Sequence, residues 1–274
     1  LTVASFNVES GEAATPRLRQ DIRRVPASDV WGFSEVLNDS WGAAFESELS
    51  SGGMNYDRIL GTTGGDDRLL IVYNATRLER VRHFELHDIG TGGRAPLVAH
   101  LRFRDGGPEF LFMVNHLNRG NAARRHEQAT LLNRWAMAQP LPVIAVGDYN
   151  FDWNLPNGDA NHDLGYDNLT RGDVFRWVRP ATLIKTQCDP NFNSVLDFVF
   201  VAGAAKAWPA TSAIQFPETS YCQDDNQRSD HRAVHAAFTL AAPRPDDFRA
   251  RLLQRIEALE RELRELKRMV EERP

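Results

Sequence analysis

Short apolar runs recur along most of the chain, separated by polar stretches. LTVASF, DVWGFS, LLIVYN, PLVAHLRF, FLFMVN, PVIAVG, VLDFVFVAG and RAVHAAFTL have the length and the β-branched and aromatic content of strands. PRLRQDIRRV and RRHEQATLLNRWAMA instead repeat their apolar residues at the helical period. This mixture predicts an α/β fold. PVIAVG is apolar at successive positions rather than at every second one, so both faces of its sheet are predicted to be covered, by helices on one side and a second sheet on the other.

After FTLAAPRPDD the pattern changes. Two prolines interrupt it, and DFRARLLQRIEALERELRELKRMVEERP is charged, free of Gly, and free of Pro until its last residue. Leu252, Ile256, Leu259, Leu263, Leu266 and Val270 alternate steps of four and three, which places Ile256, Leu263 and Val270 at heptad position a and the other three at d. In that register Arg255 with Glu260, and Glu262 with Lys267, are opposite charges across a parallel dimer, while Glu257 and Arg261 pair along one helix. The predicted organisation is a globular domain over residues 1–242, then a Pro-containing linker and C-terminal coiled-coil helix over 243–274 that makes a homo-oligomer. An amphipathic helix folded back on its own domain is the alternative.

Composition adds limits. With 42% hydrophobic and 25% charged residues in 274, the chain is neither disordered nor fibrous. A net charge of −5 neither announces nor excludes a nucleic-acid partner, because a local basic groove or a bound cation offsets a mildly acidic body. No run approaches the roughly 18 apolar residues of a membrane span. The sequence opens on a strand pattern without an initiator Met, so any targeting peptide has been removed or lies outside it. Cys188 and Cys222, in KTQCDP and SYCQDD, are compatible with one disulfide in an oxidising compartment or with two cytoplasmic thiols. Their loop setting favours the bridge, and with it a secreted or periplasmic location.

The chemistry gathers where the apolar runs stop. LTVASF ends at Asn7 with Glu9 beyond it, DVWGFS at Glu35, FLFMV at Asn115 and His116, and PVIAV at Gly147, Asp148 and Asn150. VLDFVFVAG carries Asp197 near its start, and RAVHAAFTL is led by Asp230 and His231. If these last two strands run antiparallel to the first four, all six polar ends share one rim. Singly, each residue reads as a cap, a turn or a structural histidine. Together they form a set suited to phosphate-ester hydrolysis, with Glu35, Asp230 and Asn7 as hard oxygen ligands for Mg²⁺. There is no HExxH, no zinc-type cysteine spacing and no Walker loop.

In order along the chain, ASFNVE, GFSEV, DDRLLIVYN, GRAPLV, VNHLN, VGDYNFD, FRWVRP with the following TQC, LDFVFVAG and SDHRAV resemble the endonuclease/exonuclease/phosphatase superfamily, and within it the DNase I-like proteins most closely. The resemblance covers residues 1 to about 240. It implies a four-layer α/β sandwich, two central mixed β-sheets flanked by helices, and a divalent-metal phosphodiesterase using Mg²⁺, with Mn²⁺ or Ca²⁺ as alternatives. It implies Glu35 as the principal metal ligand, with Asn7 and Asp230 contributing, and Glu9 where abasic-site endonucleases carry another acid. Asp148 and Asn150 resemble the pair that orients the attacking water. His116 and His231 resemble the catalytic imidazoles, partnered by Asp67 and Asp197, and Arg94 resembles a phosphate-binding arginine.

Asn118 and Arg119 follow the His116 strand and are further candidates for substrate phosphate; Arg124 and Arg125 either join them or belong to a helix surface. The cysteine that follows GDFN in DNase-like proteins has no counterpart here, which implies that Cys188 pairs with Cys222. The Asp-, Asn- and Gly-rich stretch from Phe151 to Arg171 is expected to be a solvated loop, with an added cation the alternative. His162 within it, and His83, His87, His100, His126 and His235, are expected to be structural or at the surface. The leading expectation is an endonuclease of low sequence specificity acting on DNA, or on RNA. The competing ones are a phosphodiesterase or phosphatase on lipid or small-molecule phosphates, and a silent binding module displayed on a coiled coil.

Overall fold

A computed structural model describes residues 1–90, 93–223, 227–240 and 264. In chain order they form β1 (Thr2–Asn7), α1 (Thr15–Arg24), β2 (Val30–Val36), α2 (Asp39–Ser50), β3 (Tyr56–Leu60), β4 (Arg68–Asn74), β5 (Leu78–Glu85), a single turn α3 (His87–Gly90), β6 (Leu97–Phe103), β7 (Glu109–His116), α4 (Ala122–Met137), β8 (Val143–Asn154), α5 (Leu164–Thr170), β9 (Phe175–Trp177), β10 (Ser194–Ala202), β11 (Ala210–Ile214) and β12 (Val234–Phe238). The linker and heptads from residue 241 onward, and with them the coiled-coil expectation, lie outside the described residues apart from Arg264.

The strands make two mixed six-stranded sheets, ordered β11-β12-β1-β2-β4-β3 and β5-β6-β7-β8-β10-β9. Period-two alternation divides each strand between two environments. Val3, Val30, Leu69 and Ile71 pack into the core shared with the second sheet, whereas Ala4, Phe6, Trp31, Phe33, Leu70 and Val72 pack under α1 and α2 with Leu18, Ile22 and Phe45. The sheets approach closely at Gly32, where a Cβ would stand 2.5 Å from Val146 and 2.7 Å from Val114. On the far side α4 covers the second sheet through Ala129, Leu132 and Ala136, and α5 through Leu169. The sandwich expected from the apolar runs is present.

Helix starts follow their caps. Asn38 accepts from Trp41 N–H at 3.3 Å to begin α2, and Asn121 accepts from Arg124 N–H at 3.1 Å to begin α4. Asp163 accepts from Gly165 N–H at 2.8 Å to begin α5, so the stretch expected to be a solvated loop is partly helical, and β8 runs on to Asn154 before it. His162 in this stretch stacks on Trp153 with ring centres 4.8 Å apart, and His126 lies 3.0 Å from Asp163. Both have structural contacts.

Strand direction sets the site. β1 is parallel to β2 and antiparallel to β12; β7 is parallel to β8, which is antiparallel to β10. The carboxyl ends of β1, β2, β7 and β8 therefore meet the amino ends of β10 and β12 on one rim.

Candidate active site

Register places three of the functional side chains in one row. His116 on β7 is paired with Asp148 on β8, and Asp148 with Asp197 on β10. Gly147 makes this possible: its φ is +135°, and a Cβ there would lie 1.9 Å from the Asn115 carbonyl oxygen, so β8 turns Asp148 into the row only with glycine before it. The first sheet supplies the facing wall. Asn7 Nδ2 donates to Glu35 Oε1 at 2.8 Å and, across the gap between sheets, to Asp148 Oδ2 at 3.2 Å. Glu9, Glu35, Asn150 and Asp152 all hold left-handed backbone, with φ of 51°, 58°, 52° and 48°, at the ends of β1, β2 and β8. Such conformations in non-glycine residues gather where the surroundings impose geometry on a site.

Two histidines face the row. His231 Nδ1 donates to Asp197 Oδ2 at 2.7 Å, with both residues buried, and its Nε2 lies 3.8 Å from Asp148 Oδ2 and 3.7 Å from Asp230 Oδ1. His116 Nε2 stands 3.5 Å from Asp148 Oδ2 and 3.8 Å from Glu35 Oε1, and its Nδ1 is 3.6 Å from Asp67 Oδ1. Arg94 ion-pairs with Asp67 and also donates from Nε to the His116 carbonyl at 3.3 Å, so Asp67 bridges Arg94 and His116. Asn150 N–H donates to Asp148 Oδ1 at 2.9 Å.

Burial and charge shape the titrations. Burial raises the proton affinity of Asp148, against the pull of His116 and His231. It does the same for Asp230, with the Glu35 and Asp197 charges adding to it. Glu9 is pushed up to about 7, by burial first and by Asp230 second. Burial opposes charge on His231, but Asp197, then Asp148 and Asp230, more than cancel it and raise its proton affinity well above the usual imidazole range. For Asp67 burial works upward, yet His116 and Arg94 bring its carboxyl below its ordinary value.

These groups fit a divalent cation. Asp148, Asp230 and Glu9 are driven toward protonation, which a cation relieves, and oxygen donors suit a hard ion. Glu35, Asp67 and His116 form one group able to hold an ion, and Asp148, Asp197 and His231 another; Asp230 is in neither group, but its carboxylate feels the charges of Glu35 in the first and Asp197 in the second. Asp197 Oδ1 and Asp67 Oδ1 are buried without a hydrogen-bond donor.

The remaining expected residues lie at the edge. Asp230 N–H donates to Glu9 Oε2 at 2.7 Å, which places Glu9 beside Asp230. Asn118 Oδ1 accepts from Asn121 N–H at 2.7 Å, a contact that shapes the turn into α4. Arg119 is exposed, and its guanidinium lies 6.0 Å from the ring centre of Phe192. Arg125 is buried and donates to the carbonyls of Asn118 and Arg119 and to Asp163. Sequence reasoning did not single out Thr186, Gln187 or Ser229. Thr186 Oγ1 accepts from the Leu196 and Asp197 N–H groups, and Ser229 Oγ donates to the Asn7 carbonyl at 2.6 Å while accepting from His231 N–H at 2.9 Å. Only Ser229 carried a signal, since SDH sets polar residues just ahead of a strand that goes buried at once, whereas TQC is separated from β10 by the partly exposed residues 189–193.

Two stacked sheets whose strand ends converge on paired histidines and carboxylates define a phosphoester hydrolase that works with a divalent metal. The chain belongs to the endonuclease/exonuclease/phosphatase family, whose model matches residues 4–261. Its fold is similar to that of a mannosyl-6-phosphatase from Bacteroides thetaiotaomicron, at 21% identity and a TM-score of 0.66 over 88% of this chain and 100% of that one. It is also similar to D. rerio TDP2 complexed with single strand DNA product, at 18% and 0.67 over 87% and 98% of the two chains. The human Nocturnin catalytic domain with bound sulfate anion gives 18% and 0.64 over 87% and 94%. No curated protein matches the chain in sequence. Cys188 and Cys222 form a disulfide, which is compatible with an extracellular location. No helix among the described residues is long and apolar enough to cross a membrane.

Proposed function

We propose that this protein is a Mg²⁺-dependent phosphodiesterase acting on nucleic acid, an endonuclease of low sequence specificity. The observation that carries the reading is a pair of recesses beside the catalytic row, joined at Arg119. One, of about 260 Å³, is lined by Arg119, Arg125, Asn150, Asp152, Phe192 and Leu196. The other, of about 500 Å³, includes Glu9, Arg119, Gln187, Ser229 and Asp230 in its lining. Asn150 lines the first, Asp230 the second and Arg119 both, so together they form an extended cleft along the site, which suits a diester within a longer chain better than a small monoester. Phe192, 39% exposed beside Arg119, suits a base stacked on its ring with a backbone phosphate at the guanidinium.

The residues divide the work. Asp148 is held by Asn150 N–H and Asn7 Nδ2, and its raised proton affinity makes it the stronger base toward an attacking water. His231, backed by Asp197, keeps a proton at Nε2 toward the phosphate, where it offsets developing charge. His116, between Asp148 and Asp67, is placed to hand a proton to the leaving oxygen. His116 itself, and Arg94 after it, keep the Asp67 carboxylate ionised behind the imidazole. Glu35, Asn7 and Asp230 would hold the Mg²⁺, which when bound neutralises charge on the phosphate oxygens.

The deciding experiment incubates the protein with supercoiled plasmid, single-stranded RNA, sphingomyelin, an inositol phosphate and mannose 6-phosphate, with Mg²⁺ or EDTA. Nicked plasmid with Mg²⁺ alone is expected. Intact plasmid beside released phosphocholine or inorganic phosphate would refute the nuclease reading, and no turnover of any substrate would favour the binding module. His116→Ala and His231→Ala are each expected to lose most activity while staying folded.

A further inference from the structure

The segment Lys185–Asp189 does more than connect β9 to β10. It lies against both halves of the site. Thr186 Oγ1 receives the N–H groups of Leu196 and Asp197, at 2.9 and 3.2 Å, and the Thr186 carbonyl receives Arg232 N–H at 2.7 Å. Gln187 pairs as a bridge with His231. Cys188 N–H donates to the Asp230 carbonyl at 2.6 Å. Its partner Cys222 follows Tyr221, whose hydroxyl donates to the His231 carbonyl at 2.9 Å. The disulfide therefore closes a covalent strap with one end hydrogen-bonded to Asp230 and the other to His231.

Gln187 is the side chain on this strap that reaches the site. It is buried, with its amide orientation fixed from both ends: Oε1 accepts from Asp189 N–H at 2.7 Å, so Nε2 is the group that meets Asp230 Oδ2, at 3.1 Å. Asp230 is then held at three points, by Glu9 on its N–H, Cys188 on its carbonyl and Gln187 on Oδ2. Oδ1 is left toward His231 Nε2, 3.7 Å away. A neutral donor is the appropriate group here. It fixes one carboxylate oxygen without cancelling the charge that attracts a cation, which a lysine or arginine in its place would do.

We propose that Gln187 is a positioning residue for the divalent-cation site, acting through Asp230, and that the Cys188–Cys222 bridge keeps it in register. The proposal rests on the reading of Asp230 as a cation ligand. The test is Mn²⁺ binding to the full chain without substrate, followed by electron paramagnetic resonance of the free ion. Gln187→Met keeps the volume and removes the donor, so its dissociation constant is expected to rise about 10- to 100-fold, as for other groups that orient a ligand. The melting temperature should be little changed. The double variant Cys188→Ser, Cys222→Ser is expected to weaken binding in the same direction, and if it does not fold, Gln187→Met decides alone. In turnover, Gln187→Met should raise the Mg²⁺ concentration for half-maximal rate, a shift that a merely structural contact would not produce. Asp230→Ala serves as the reference. Weakened binding in Asp230→Ala with parental binding in Gln187→Met would overturn the proposal alone, whereas parental binding in Asp230→Ala would overturn the ligand reading beneath it.

Discussion

Replacing Asp197 by Asn tests the centre of the mechanism. The side chains are isosteric and Asp197 is 1% exposed, so the change removes a charge while nearly conserving volume. What it alters is the 2.7 Å contact with His231 Nδ1. A hydrogen bond to a charged group contributes about 1.5–3 kcal/mol. At tenfold per roughly 1.4 kcal/mol, kcat should fall about 10- to 150-fold if His231 carries charge in the transition state. The pH profile provides a second reading. Asp197 is the largest influence raising His231, ahead of Asp148 and Asp230, so its loss lowers the imidazole's proton affinity. The limb of the profile that belongs to His231 then moves to lower pH, whether the reaction uses the imidazole or the imidazolium. Stability follows the same linkage. A raised histidine contributes stability that is fully present below about 6.5 and is lost as pH rises through the folded value, so the variant's deficit should be larger at pH 6 than at pH 9. The assay is kcat for bis(p-nitrophenyl) phosphate between pH 5 and 9.5 at saturating Mg²⁺, with melting curves at both ends. A kcat within twofold of the parent and an unmoved profile would refute a working His231–Asp197 pair.

Gly147→Ala should cost more than about 3 kcal/mol, because backbone strain of about 1–3 kcal/mol adds to a clash with the Asn115 carbonyl. Gly11→Ala, whose Cβ meets nothing within 4 Å, should stay within about 0.5 kcal/mol; equal urea midpoints for the two would refute the argument. His235, half-buried on β12, has its proton affinity lowered by burial, so it contributes stability present above about 6.5 and lost as pH falls through the folded value. His235→Asn should therefore lose less in melting temperature than the parent between pH 7.5 and 4.5, and parallel curves would contradict this. Removal of residues 246–274 should convert an oligomer to a monomer in sedimentation velocity; a monomer in both cases would end the heptad reading.

The strands that the apolar pattern located and those it missed differ in position within the sheets. β1, β2, β4, β6, β7, β8, β10 and β12 are interior, buried on both faces or paired on both sides, and their runs of Val, Ile, Leu and Phe are visible. β3, β5, β9 and β11 escaped notice, and they are the four edges of the two sheets. An edge strand has one neighbour and an open flank, so LERVRHFE and ATSAI carry charged and small residues that resemble loops. The same distinction explains α2, whose Gly42 and acidic residues conceal the buried pair Trp41 and Phe45. In the site, the residues at strand ends were legible because a carboxylate or imidazole beside a buried run costs free energy to keep there. Gln187 and Thr186 were not, because they act through hydrogen bonds that form only once distant segments meet.

The proximity of β1 to β12 also governs when the protein becomes active. Ser229 meets the Asn7 carbonyl across 222 positions of sequence, and Leu1 N donates to the Phe238 carbonyl. A chain still being synthesised acquires Asn7, Glu35, His116 and Asp148 early, yet lacks Asp230 and His231 and leaves one flank of β1 without a partner. Such a chain must hold an open, adhesive central strand until nearly all of the domain has emerged. Activity should therefore arrive in a single step once β12 has emerged, and fragments truncated before β12 should be prone to aggregate rather than be weakly active.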